Sequence, residues 1–128
     1  MVTTEVYPEA ARRLDEFATL PPGWDTYDAQ PIAARALDEA RRLLAAVGRR
    51  LNGRAMIARP FFVAPLPYGG VQIEWRRAEN EIEVEIAPDG RFGYLSTTGE
   101  GENRVFVEKD DASTDEVIDR IVRLYDDN

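Results

Sequence analysis

The stretch that decides the fold is residues 71–95, VQIEWRRAENEIEVEIAPDGRFGYL. In much of it every second residue is apolar and the residues between are polar, which is typical of half-buried β-strands. RAEN predicts a hairpin, and APDGR at 87–91 predicts a turn, with Pro88 and Gly90 placed as a type I turn followed by a left-handed residue favours. Phe92 and Tyr94 begin a third strand that faces the same core. The alternating apolar residues before them are Val71, Ile73, Trp75, Ile82, Val84 and Ile86.

Two more apolar segments flank this meander, FFVAPLP at 61–67 and RVFVEK at 104–109, and both are predicted strands. STTGEGEN at 96–103 is predicted to be a polar loop, and no structure is predicted for 52–59. The result is an antiparallel sheet of four to five strands in meander order. Its inner face is apolar and its outer face is charged, so we expect helices on one side only.

Helical periodicity marks three further segments. The first is 8–20, ended by Pro21 and Pro22; the second is 33–47, with Gly48 as its C-terminal stop; the third is 113–125. Ser113 and Glu116 form a capping box at the start of the third segment. Two N-terminal helices, a run of strands and a C-terminal helix predict one α+β domain over 1–128, with the helices packed on one face of the sheet.

The chain has neither cysteine nor histidine. This removes disulfides, zinc sites of the usual kind, thiolate nucleophiles and the imidazole base of a serine triad. Any catalysis would rest on Asp, Glu, Tyr, Lys or Arg, or on a hard metal ion held by carboxylates. The composition disfavours an enzyme, and we predict no catalytic residue, metal or cofactor.

The formal net charge of −8 argues against nucleic-acid binding, because phosphate contacts need a basic face. An acidic chain suits a partner protein with a basic surface. There is no apolar run of the roughly 18 residues that cross a bilayer, and the first residues lack the layout of a secretory signal. The sequence predicts a cytoplasmic protein without a membrane partner.

A row of acids lies on the predicted outer face, with Glu81, Glu83 and Glu85 on one strand and Glu74 on its neighbour. Such a row is compatible with magnesium binding or acid–base chemistry, but alternating glutamates on a solvated sheet face are the ordinary reading. A third interpretation is a contact surface for a basic protein.

A basic island spans residues 41–59, which carry six arginines and no acid. Arg49, Arg50 and Arg54 would suit a phosphate group. Cations at the end of a helix are also favoured by the helix dipole, which explains part of the island without a ligand.

The segment LPPGWDTYDAQPI at 20–32 joins the first two predicted helices. Trp24, Asp25, Tyr27 and Asp28 would suit the rim of a ligand pocket. The alternative is a structural connector, anchored by burial of Trp24 and tied by its aspartates.

GWDTYDAQPI and VAPLPYGGVQIEW together resemble a group of small, uncharacterised bacterial proteins that share a GWD-Y-A-P-I segment and a GGVQ-[LI]-EW segment. The resemblance covers roughly 20–95. It implies a shared fold, in which the connector and the GGVQIEW strand belong to one structural unit, so Trp24 or Tyr27 is expected near Trp75.

The function predicted from these observations is a small, non-enzymatic protein-binding module, such as an antitoxin, immunity or regulatory partner protein. The alternative is a small-ligand-binding domain or a carboxylate-based metal enzyme, with Trp24, Asp25, Tyr27, Asp28, Glu74 and Trp75 around one cleft. An edge strand, either 61–67 or 104–109, is also open to pairing with a second copy of the chain.

Overall fold

A computed structural model describes residues 7–52 and 58–125. Over these ranges the chain is an α+β structure whose strands form one antiparallel sheet, in which strands that follow one another in the sequence lie side by side, as the alternation predicted. A short 3-10 turn, Gly101–Asn103, precedes the last strand. The elements are α1 (Pro8–Phe17), α2 (Ala34–Leu51), β1 (Phe62–Pro65), β2 (Val71–Arg77), β3 (Asn80–Ile86), β4 (Phe92–Thr98), β5 (Val105–Ala112) and α3 (Thr114–Leu124).

The two predicted turns of the meander are confirmed. Arg77 and Asn80 are paired across a two-residue connection, in which Ala78 has a positive φ of 52°. In the second turn the Ala87 N–H donates to Arg91 O at 2.9 Å, and Gly90 has φ 90°. Glycine takes this conformation without steric cost, which is why the sequence signal was reliable there.

One side of the sheet and the helices share a single hydrophobic core. The alternating apolar residues of β2 and β3 are buried as predicted, and Phe92 and Tyr94 continue the same face on β4. Burying each large apolar side chain contributes about 1.5–3 kcal/mol, so this face is the main source of stability. The helices contribute, among others, Leu14, Phe17, Leu37, Leu43, Val47, Val117 and Ile121.

The predicted stop of the second helix at Gly48 is wrong. Helix α2 continues through Gly48 to Leu51, and Asn52, with φ 24°, is the residue that follows its end. Leu51 is 2% exposed, and its burial favours one more turn of helix over a glycine stop.

The loop predicted at 96–103 is only partly a loop. β4 continues through Ser96, Thr97 and Thr98, and Thr97 is buried between its neighbours Glu81 and Phe106. Hydroxyl-bearing residues gave no apolar alternation, so the end of the strand was not visible in the sequence. β5 likewise extends three residues beyond the predicted segment, past an irregularity between Lys109 and Ala112.

The predicted cap of the C-terminal helix is confirmed, because Ser113 Oγ accepts the Glu116 N–H at 3.1 Å. The Glu116 carboxylate forms its hydrogen bonds with the sheet. It accepts from the Tyr94 phenol at 2.7 Å and from Lys109 Nζ at 2.6 Å, which ties α3 to β4 and β5. These donors lower the pKa of Glu116 below its ordinary value.

Candidate interaction face of the sheet

The connector at 20–32 is held by its own backbone and side chains. The Trp24 indole N–H donates to Gln30 O at 2.7 Å, and the ring is half-buried against the core. Asp25 Oδ1 accepts the N–H groups of Tyr27 and Ala29, at 2.9 and 3.2 Å. Trp24 and Asp25 therefore both serve as ties within the connector.

The connector is also bonded to the turn that leads into β2. The Gln30 N–H donates to Pro67 O at 2.7 Å, and the Ala33 N–H donates to Gly69 O at 2.9 Å. The connector and the start of the GGVQIEW strand thus form one structural unit.

The six residues of the hypothetical cleft do not converge. Trp75 is fully buried in the core, whereas Glu74, its neighbour in β2, points to the opposite side of the sheet. Tyr27 is 82% exposed and Asp28 is also exposed. A cleft cannot present both Glu74 and Trp75, so the arrangement on which the alternative function depends is not present.

The opposite side of the sheet, which we call the outer face, carries the acidic row. Glu81, Glu83 and Glu85 project from β3, the middle strand. Glu83 has Glu74 of β2 on one side and Leu95 of β4 on the other. The structure therefore brings the four predicted acids together on adjacent strands.

Three of these acids have partners. Arg76 Nε lies 3.0 Å from a Glu81 carboxylate oxygen, and the Gln72 amide donates to Glu74 at 3.2 Å. The Tyr68 phenol donates to Glu85 at 3.0 Å, which raises the pKa of Tyr68 to about 12 together with the larger effect of burial. Each contact offsets part of the repulsion within the row.

Glu83 is the exception. Within residues 7–52 and 58–125, no side chain or backbone group donates a hydrogen bond to its carboxylate and no cation pairs with it. Partial burial raises the pKa of Glu83, and the charges of Glu74, Glu85 and Glu81 raise it further. The centre of the outer face is therefore a half-buried carboxylate without a partner in the described part of the chain.

Aromatic side chains border this acidic centre. Phe62 is 45% exposed on β1, opposite Glu74, and Phe106 is 63% exposed on β5, opposite Thr97. The Arg76 guanidinium lies over the exposed Phe61 ring, 4.0 Å from its centroid. Sequence reasoning placed these phenylalanines in strands but did not assign them to the site. The available signal was that RVFVEK has apolar residues on both faces of a predicted strand. Since helices cover only one face of the sheet, the apolar residue on the other face is exposed.

The basic island is partly neutralised in the fold. Arg50 Nη2 lies 3.1 Å from Asp119 of α3, and Arg41 Nη2 lies 2.9 Å from Asp15 of α1. Arg49 is exposed in the last turn of α2, and Arg54 falls outside the described residues. Ion pairs between helices thus neutralise two of the arginines of the basic island.

A cavity of about 520 Å³ lies between the start of α1 and β1. None of the six residues of the hypothetical cleft lines it. Arg13 crosses this region and donates to the Val63 carbonyl oxygen at 3.0 Å. The lining includes Tyr7, Glu9, Arg13, Arg59, Phe61 and Phe62.

The Tyr7 phenol is buried beside this cavity without a hydrogen-bond partner in the described part of the chain. Burial, with a smaller contribution from Tyr125, raises its pKa to about 12. Tyr7→Phe removes an unsatisfied hydroxyl and is expected to raise the free energy of unfolding by up to about 1 kcal/mol. The matched control is Tyr125→Phe, which loses the hydrogen bond to Arg76 O and is expected to cost about 1 kcal/mol. Urea denaturation of both variants checks the opposite signs, and a loss of stability in Tyr7→Phe would contradict the assignment.

Within residues 7–52 and 58–125, no group of three or more acidic side chains is arranged to hold a metal ion. None of the helices in those ranges is long and apolar enough to cross a membrane.

Comparison of the chain with protein-family models, curated proteins and solved structures found no match. The candidate site therefore stands on the geometry of the outer face.

Proposed function

We propose that the chain is a cytoplasmic, non-enzymatic protein-binding module, whose outer face binds a basic surface of another protein, as an antitoxin, immunity or regulatory partner does. The observation that carries the proposal is Glu83, a half-buried carboxylate that has no donor among residues 7–52 and 58–125 and lies beside three other acids.

The free energy of this arrangement favours a cationic partner. Ionised Glu83 is disfavoured in the free protein by desolvation and by like charge, which is the physical content of its raised pKa. An arginine or lysine placed over Glu83 supplies the missing donors, and a hydrogen bond to a charged group is worth about 1.5–3 kcal/mol. Binding of a cationic partner therefore adds a hydrogen bond to Glu83 and also offsets the repulsion between Glu83 and the neighbouring acids.

The surroundings of Glu83 fit a protein interface. Leu95 and the exposed ring of Phe62 offer apolar contact on either side of the acidic strip, along one row of paired residues. Aromatic groups at the centre and border of a patch commonly dominate binding energy, and charge complementarity gives orientation. A flat face of this kind suits a helix or sheet that carries basic and apolar residues.

The alternative, a ligand-binding or carboxylate-based site between 23–28 and 71–75, has weaker support. Asp25 is occupied by backbone N–H groups, and Glu74 and Trp75 point to opposite sides of β2. The outer face needs no such convergence.

The test is capture of a partner from the source cells with three tagged proteins: wild type, a face variant and a charge-matched control. The face variant is Glu81→Gln with Glu83→Gln and Glu85→Gln. The control is Asp28→Asn with Glu100→Gln and Glu102→Gln. These three acids are exposed and do not belong to the acidic strip, and their substitution removes the same charge.

We expect a stoichiometric basic protein that wild type and the control capture, that the face variant loses by at least roughly tenfold, and that is weakened by salt. The face variant should fold about as stably as wild type, because it removes like-charge contacts together with the attraction between Arg76 and Glu81. A partner retained equally by the face variant, or no partner for wild type, would overturn the proposal.

A further inference from the structure

We infer that β5 is a self-pairing edge, along which two copies of the chain join antiparallel and form one continuous sheet centred on Phe106. This goes beyond the proposed function, since it concerns the edge of the sheet and a second copy of the same chain. It also decides between the two edges that the sequence left open.

The other edge of the sheet is protected. β1 has only four residues and ends at Pro65, which has no N–H to donate. The Val63 carbonyl oxygen already accepts from Arg13, whose helix α1 contacts β1. This edge therefore offers a second chain fewer backbone groups than β5 does, because the Val63 carbonyl is occupied and Pro65 has no N–H.

β5 has the opposite character. It is eight residues long, it is the last strand in the sheet order, and nearly all of it is exposed. Val105 is 55% exposed and Phe106 is 63% exposed. A long, exposed edge strand with apolar residues is a template for pairing with another chain.

The ladder shows which backbone groups of β5 have no partner in the described part of the chain. The Ala87 N–H donates to Arg91 O, and hydrogen-bonded pairs alternate along an antiparallel ladder, so odd-numbered residues of β4 bond to β3. Even-numbered residues of β4 then bond to β5, at Val105, Val107 and Lys109. The N–H and C=O groups of Phe106 and Glu108 therefore point away from the sheet.

One antiparallel register makes this edge complementary to itself. With Phe106 opposite Phe106 of the other copy, Arg104 of each copy lies opposite Glu108 of the other, and Val105 lies opposite Val107. Both charge pairs are attractive and the apolar residues are matched. The ladder irregularity beyond Lys109 ends the regular segment, which leaves 104–108 as the paired stretch.

Shifting the register by two residues toward Asp110 gives less favourable side-chain pairs. Arg104 then lies opposite Asp110, but Phe106 lies opposite Glu108, so the exposed aromatic ring is set against a carboxylate. The Phe106-centred register is therefore the one that the residues favour.

The first test is sedimentation equilibrium of the full chain at concentrations up to about 100 µM, which covers the affinities of weak specific dimers. Wild type is expected to dimerise. Phe106→Lys is expected to raise the dissociation constant at least roughly 100-fold, because two added charges then face each other across the pair. Tyr27→Lys, which makes the same change at another exposed aromatic residue, should leave dimerisation unchanged.

The second test fixes the register by charge exchange. Arg104→Glu alone and Glu108→Arg alone each set like charges opposite one another twice, and each is expected to weaken the dimer roughly tenfold. The variant with both substitutions restores the attractive pairs and should recover wild-type dimerisation. A monomeric wild type, a dimer that survives Phe106→Lys, or a double variant no better than the single ones would overturn the inference.

Discussion

Replacing Trp75 with alanine is expected to lower the free energy of unfolding by about 3–5 kcal/mol. The Trp75 side chain is fully buried in β2, opposite Ile82, where the sheet meets the helices. Removing it deletes a large apolar contact area and leaves a cavity that rigid neighbours fill only in part. Since small domains are stable by about 5–15 kcal/mol, this loss removes a large part of the total stability.

The matched control is Trp24→Ala, in the connector. Trp24 is half-buried and its indole N–H bonds to Gln30 O, so we expect a smaller loss of about 1–2 kcal/mol. Guanidinium denaturation followed by far-ultraviolet circular dichroism measures both. The chain has two tryptophans, so the tryptophan fluorescence of each variant comes from the one tryptophan that remains. Equal losses for the two variants would contradict this division between core and connector.

The sequence was most informative where a short-range pattern determines structure. The strands around RAEN and APDGR, and the buried stripe of Val117, Ile118 and Ile121, follow from periodicity and turn chemistry alone. It was less informative where burial outweighs local preference. Gly48 reads as a stop, yet the burial of Leu51 continues α2 beyond it.

Only part of the candidate site could be predicted from the sequence. The acids of β3 and Glu74 were recognised, because alternation puts them on one face. Among the described residues no group pairs with Glu83, and this depends on cross-strand register and on Tyr68, which reaches Glu85 from 17 residues away. The cavity beside Tyr7 depends on where α1 lies against β1, which no local pattern specifies.

Replacing Glu83 with lysine is expected to stabilise the free protein and to abolish partner binding. In the fold, the lysine lies beside Glu74, Glu81 and Glu85, so three repulsive contacts become attractive. Glu74 is the cross-strand neighbour, and such a charge pair contributes about 0.2–1 kcal/mol. With the two further acids on β3, we expect a net gain near 1 kcal/mol at neutral pH. A partner that places a cation over Glu83 meets a like charge instead, and its affinity should fall at least roughly 100-fold.

The gain in stability must depend on pH with a definite sign. The pKa of Glu83 is raised in the folded protein, so the native state binds more protons than the unfolded state between the ordinary value of 4.5 and the raised value. Wild-type stability from this group therefore falls as pH rises through that window. The lysine variant lacks this loss, so its advantage should be largest above the window and should shrink as the solution is acidified and Glu74, Glu81 and Glu85 become neutral.

Glu102→Lys is the control for Glu83→Lys, because it makes the same charge change at an exposed position in the 3-10 turn before β5. It should change the urea midpoint little at any pH and should leave partner capture within about threefold, as expected of a screened surface charge. A Glu83→Lys protein that is less stable than wild type, or that still captures the partner, would contradict the role of Glu83. A protein that is more stable and yet does not bind cannot be explained by misfolding. That outcome would identify the repulsion in the acidic row as a cost that the free protein bears because the outer face is used for binding.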